Sequence, residues 1–170
     1  VTFIDKGKEI DKQELEAGSL VIAPKVSMEG YTFKYWSKKE NGKEYNLNLP
    51  ITRNLTLYSV YEINKYTVTY INEGKEYHKE TALYGNTIKN VENPTKEGYT
   101  FIGWYDINDK KVNHPITVTK NMTLYSKYEI NSYKISYYNE GVKYIEDQKI
   151  NYGENALKPN TNPSKIGYTF

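Results

Sequence analysis

The chain contains no cysteine among its 170 residues, so neither a disulfide framework nor a thiolate metal site is available. It has only two histidines, His78 and His114. Neither has a counterpart at the aligned position of another copy, and no second ligand sits at metal-binding spacing. No apolar run approaches the roughly 20 residues that a membrane-spanning helix needs. Val1 does not open a charged-then-apolar leader, so any targeting element is expected outside these residues. A net charge of +2, from 23 basic and 21 acidic residues, gives no bulk attraction to nucleic acid. The glycine patterns that cradle phosphates and the G-x-S-x-G nucleophile turn are missing. Glu62 and Glu129 are the clearest recurring carboxylates. They fall at junctions between copies rather than as a pair sharing a cleft, so an enzyme is not expected.

What the chain has is self-similarity. Gly-Tyr-Thr-Phe occurs at Gly30–Phe33, Gly98–Phe101 and Gly167–Phe170, marking a unit of about 67 residues. The copies align beyond that motif. Val1-Thr2-Phe3-Ile4 matches Val68-Thr69-Tyr70-Ile71 and Ile135-Ser136-Tyr137-Tyr138, and Tyr58–Asn64 matches Tyr125–Asn131. The expected organisation is one unit over 1–64, a second over 65–131 and a partial third over 132–170. The third lacks a tryptophan and a closing strand, so it should be poorly packed or borrow a strand. A unit of about 65 residues buries only roughly 60% of its unfolded surface and is marginal alone. The 19 tyrosines suit such thin domains, because each buries a ring while its hydroxyl stays hydrated or hydrogen-bonded.

Within the second copy, β-branched and aromatic residues from Tyr66 to Ile71 predict a strand that turns at Glu73-Gly74, with Gly7 and Gly141 equivalent. A second recurring glycine, at Gly18, Gly85 and Gly153, follows another strand such as Thr81–Tyr84. The segment from there to the Gly-Tyr-Thr-Phe glycine lengthens by one residue per copy, which suits a short helix or a surface loop ending before Pro94 and Pro163. Tyr31, Phe33 and Trp36, with Tyr99, Phe101, Gly103 and Trp104, define the central strand. Strict alternation puts Trp104 on the face opposite Phe101, but a bulge at Gly103 returns it. Tyr35 occupies that place in the first copy, so the bulge does not require glycine. Trp36 and Trp104 therefore read as core anchors. Polar excursions at Asn41-Gly42 and Asn108-Asp109 suit hairpin turns. The closing strand directs Leu57 and Tyr61, or Leu124 and Tyr128, inward. The sequons at Asn54 and Asn121 read as turn residues at its start. Glu62–Tyr66 and Glu129–Tyr133 lack glycine and proline, so consecutive units should form a stiff, extended rod.

Gly98–Tyr105 followed by Asn121–Tyr128 resembles the Listeria-Bacteroides repeat, a family that includes the B-repeat of internalin-type surface proteins. The resemblance covers essentially the whole chain. The first copy departs at Lys34-Tyr35, where the family favours glycine before tryptophan. The resemblance implies an α+β, mostly β architecture of tandem β-grasp-like units with a short helix or loop crossover. It also implies extracellular placement on a bacterial surface or in a secreted protein, with the repeats between a recognition domain and a cell-wall anchor, and it supplies no catalytic residues and no cofactor. Two functions follow. One is a monomeric spacer whose partners are neighbouring repeats. The other is an adhesive module that meets host or cell-wall glycans or proteins through exposed tyrosines with Lys38, Lys39, Lys110 and Lys111.

Overall fold

The computed structural model describes residues 1–170, and every regular element in it is a strand. The first copy forms β1 (Thr2–Asp5), β2 (Lys8–Lys12), β3 (Tyr31–Ser37) and β4 (Thr56–Ile63). The second forms β5 (Lys65–Asn72), β6 (Lys75–Leu83), β7 (Thr87–Ile88), β8 (Tyr99–Tyr105), β9 (Lys111–Val112), β10 (Ile116–Thr117) and β11 (Met122–Ile130). The third forms β12 (Ser132–Ile135), β13 (Tyr138–Asn139), β14 (Val142–Lys143) and β15 (Gln148–Asn151). The chain packs as two compact units. One comprises Val1–Val68, Glu80–Lys89 and Pro115–Met122, and the other Thr69–Lys79, Asn90–His114 and Thr123–Phe170.

The first copy is a four-stranded sheet in the order β2-β1-β4-β3. Its hairpin partners are antiparallel, while β1 lies parallel to β4 with Phe3 opposite Leu57. The second copy repeats this order as β6-β5-β11-β8 and adds the short β9 at the edge. The third pairs its strands within itself, β12 with β15 and β13 with β14, and borrows none. The first hairpins turn through Lys6-Gly7, Glu73-Gly74 and Glu140-Gly141 with both residues at positive φ, near 50° and then 76–83°. That is the type I′ geometry whose twist matches paired strands.

Phe3, Trp36 and Leu57 sit at the centre of the first core, joined by Val21 and Ile51 from the loops, with Val1, Phe33, Tyr45 and Leu55 packed around them. Phe3 meets Trp36 edge-on at 4.7 Å between ring centroids, and Phe33 lies 5.6 Å from the same tryptophan. In the second copy Tyr70, Phe101, Trp104 and Leu124 take the equivalent places, with Tyr70 5.0 Å and Phe101 5.4 Å from Trp104. Phenylalanine and tryptophan share a face because the pairing of β8 with β11 skips Ile102, a bulge beside Gly103. The first copy bulges at Lys34 and passes through Tyr35 without positive φ.

The helix allowed by the variable segment is absent, which corrects the α+β expectation to all-β. A helix confined between glycine and proline would be only two or three turns long, too short to hold itself in water. Partners outside the segment satisfy its backbone instead. Gly18 N–H donates to Ile51 O and Ile51 N–H to Ser19 O, while the Gln13 side chain brackets Ile22 through its amide donor and acceptor. Gln148 does the same for Leu157 in the third copy. In the second, β7 pairs with β10, and Gly85 and Asn86 exchange hydrogen bonds with Val118. These contacts hold the crossover without a helix.

Candidate functional site at the repeat joints

One residue, Asn64, separates β4 from β5, and Asn131 alone separates β11 from β12. Each asparagine is tied on several sides. The Asn64 N–H donates to Gly30 O at 2.9 Å and its carbonyl accepts from Tyr84 N–H at 2.9 Å. Its side-chain oxygen accepts from Thr32 Oγ1 at 2.6 Å, and its amide donates to the Tyr66 hydroxyl at 3.2 Å. Asn131 repeats the pattern with Gly98 O at 2.9 Å, Tyr152 N–H at 2.8 Å and Thr100 Oγ1 at 2.7 Å. The glycine and threonine of Gly-Tyr-Thr-Phe thus hold the joint, while Phe33 and Phe101 face the core. Sequence reasoning missed Asn64, Asn131, Tyr84 and Tyr152. Their signal lay in the recurrence of asparagine after Glu-Ile and of Tyr-Gly after the second strand.

Trp36 and Trp104 are 1% and 2% exposed, and Leu57 and Leu124 are fully buried. Tyr61 and Tyr128 are half-buried, with their rings 5.7 Å from Phe33 and Phe101. Their hydroxyls reach the end of the first strand. Tyr61 and Ser59 both donate to Asp5 Oδ1, at 2.9 and 2.6 Å, and Tyr128 and Ser126 donate to Asn72 Oδ1, at 2.7 and 2.8 Å. Burial, with help from the adjacent Asp5 carboxylate, pushes the Tyr61 phenol up to about 12. Gly30 and Gly98 turn at φ 75° and 74°, and Tyr31 and Tyr99 flank the joints half-buried.

Each of the four surface lysines has its own local setting. Lys38 projects over the Tyr45 ring at 4.9 Å, and the Lys39 amide donates to Ser37 Oγ beside the turn. The Lys110 amide is bound to Asp106 Oδ1 at 2.9 Å, and Lys111 lies in β9 with its stem over Gly103. Lys111 also lines an open groove of about 420 Å³ with Asn90, Asn113 and His114. His114 contacts the Tyr70 hydroxyl at 2.8 Å, and burial lowers the proton affinity of its imidazole. Asn121, within one sequon, accepts from the Thr67 backbone N–H at 2.9 Å, a long-range tie to β5 rather than a bond within its own turn.

Recurring sheets, with each copy passing to the next through a clamped single-residue joint, define a tandem-repeat β-protein. The chain belongs to the Listeria-Bacteroides repeat domain family, which matches residues 1–60, 66–127 and 133–170. It is 33% identical over 172 residues to a protein of Evansella cellulosilytica named "Putative membrane protein", covering 96% of this chain and 26% of that protein. It is also 32% identical over 124 residues to Internalin H of Listeria monocytogenes, covering 68% of this chain and 22% of that protein. The chain therefore spans about a quarter of the length of these relatives. No helix is long and apolar enough to cross a membrane.

Proposed function

We propose that this chain is a spacer segment of a bacterial cell-surface or secreted protein, a row of β-grasp-like units whose partners are their own neighbours and which holds other parts of the protein apart. The observation that carries this reading is the joint. One strand passes to the next through a single asparagine whose backbone and side chain are both hydrogen-bonded, leaving little rotational freedom. The sheet order with a parallel β1–β4 pair supports the β-grasp-like description, with an extended loop in place of the helix. Family membership and the name of the Listeria relative support a surface location. Small-angle scattering tests the spacer role. A compact globule of this length has a radius of gyration of about 15 Å. The spacer should exceed that clearly and give a skewed pair-distance distribution, and a value near the compact figure would overturn the reading.

A further inference from the structure

Two of the chain's glycines are covered by an aromatic ring, and both stand at the start of a Gly-Tyr-Thr-Phe motif. A methyl group on Gly30 would lie inside the Tyr84 ring, and one on Gly98 inside the Tyr152 ring. Gly167 makes the same turn, at φ 79°, in the same tetrapeptide, yet nothing approaches within 4 Å of where its Cβ would stand. The ring over Gly30 and the ring over Gly98 each come from the copy that follows. The bare Gly85 and Gly153 come directly after those tyrosines, so each ring is presented from a tight Tyr-Gly corner.

The contact has polar ends as well. The Glu29 carboxylate lies beside the Tyr84 phenol and the Glu97 carboxylate beside that of Tyr152, and each carboxylate helps hold its phenol protonated above the usual range. The backbone N–H groups of the same two tyrosines donate to the joint asparagines. The ring therefore meets a flat glycine face and the amide a carbonyl, with a carboxylate beside the hydroxyl. The aligned positions vary in a way that bears on docking. Ala17 stands where the later copies carry tyrosine, and Ile166 where the first two corners carry glutamate.

We infer that the Glu-Gly-Tyr-Thr corner and joint asparagine of one repeat form a docking surface that selects a tyrosine-glycine corner from the repeat that follows. Tyrosine fits because it combines a planar ring, which only glycine can admit so closely, with a hydroxyl that reaches the carboxylate. A copy with alanine there, as at Ala17, can receive a neighbour but cannot dock behind one by this route. The inference concerns contact between consecutive copies and holds whether or not the array serves as a spacer.

Amide exchange on the full chain tests it. Tyr152→Ala should speed exchange at the Asn131 and Tyr152 amides by about tenfold while leaving Asn64 and Tyr84 unchanged, and Tyr84→Ala should do the reverse. Tyr152→Phe should fall between wild type and alanine. Gly98→Ala should loosen the second joint to a similar degree, and adding Tyr152→Ala to it should loosen that joint no further. Unchanged exchange at the mutated joint, or fully additive effects in the double variant, would overturn the proposal. Should Gly98→Ala unfold the second copy, the two tyrosine series alone decide the matter.

Discussion

Tyr61 shows how one hydroxyl ties the last strand of a repeat to its first. Its phenol donates to Asp5 at the end of β1, and only the neutral form can donate. The folded-state pKa is raised to about 12 from the ordinary 10. The contribution to stability is therefore complete below pH 10 and is lost as the pH rises toward 12. Tyr61→Phe should cost about 1 kcal/mol at pH 7. The gap between wild type and variant should close between pH 10 and 12 in urea titrations. A gap independent of pH would mean that Asp5 does not act through this hydroxyl. The inward turn of Tyr61 and Tyr128 was legible from alternation with Leu57 and Leu124, and so was the bulge that turns Trp104 toward Phe101. Asp5 and Asn72 were not, because a polar residue before a turn glycine is equally explained by the turn itself.

The type I′ turns carry a local conflict at the level of the hairpin. Glycine takes the second positive-φ position in all three, but Lys6, Glu73 and Glu140 take the first, at φ 50°, 49° and 48°. A left-handed conformation costs an ordinary side chain about 1–2 kcal/mol, and asparagine tolerates it best. Lys6 pairs loosely, 3.8 Å from Asp5, and donates to Ser27 O at 3.2 Å in an exposed position, so little opposes its replacement. Lys6→Asn should stabilise the first copy by roughly 0.5–1 kcal/mol, seen as a higher urea midpoint with an unchanged slope. A lower midpoint would show that the Lys6 contacts with Asp5 and Ser27 outweigh the backbone gain. These turns were readable because glycine after the first strand recurs in every copy. The crossover was not readable as extended chain, since its conformation is set by Ile51, Val118 and the side chains of Gln13 and Gln148 rather than by its own residues. Periodicity within a segment reports which face it buries, not which distant backbone it meets.

Across the whole molecule, burial falls away along the chain. The fully buried side chains all lie between Phe3 and Leu124, and none of residues 132–170 is buried. Val142, Leu157 and Phe170 are 69%, 75% and 79% exposed. What holds the third copy is the antiparallel pairing of β12 with β15 and the attachment of Tyr152 to Asn131 and Gly98. In a tandem array, stability is approximately the sum of each copy's own contribution and its contacts with neighbours. The first two copies have cores of their own, so their stability is mainly internal, whereas residues 132–170 rely on their contacts with the second copy. Hydrogen exchange should follow that order, slowest in β4 and β11, intermediate in β12 and β15, and near the unprotected rate over 154–170. Asn131→Ala should then remove most of the protection of β12 and β15 while changing β4 little, because the asparagine is the third copy's attachment but not part of the first core. Equal protection along all three copies would mean that residues 132–170 draw stability from something other than the joint.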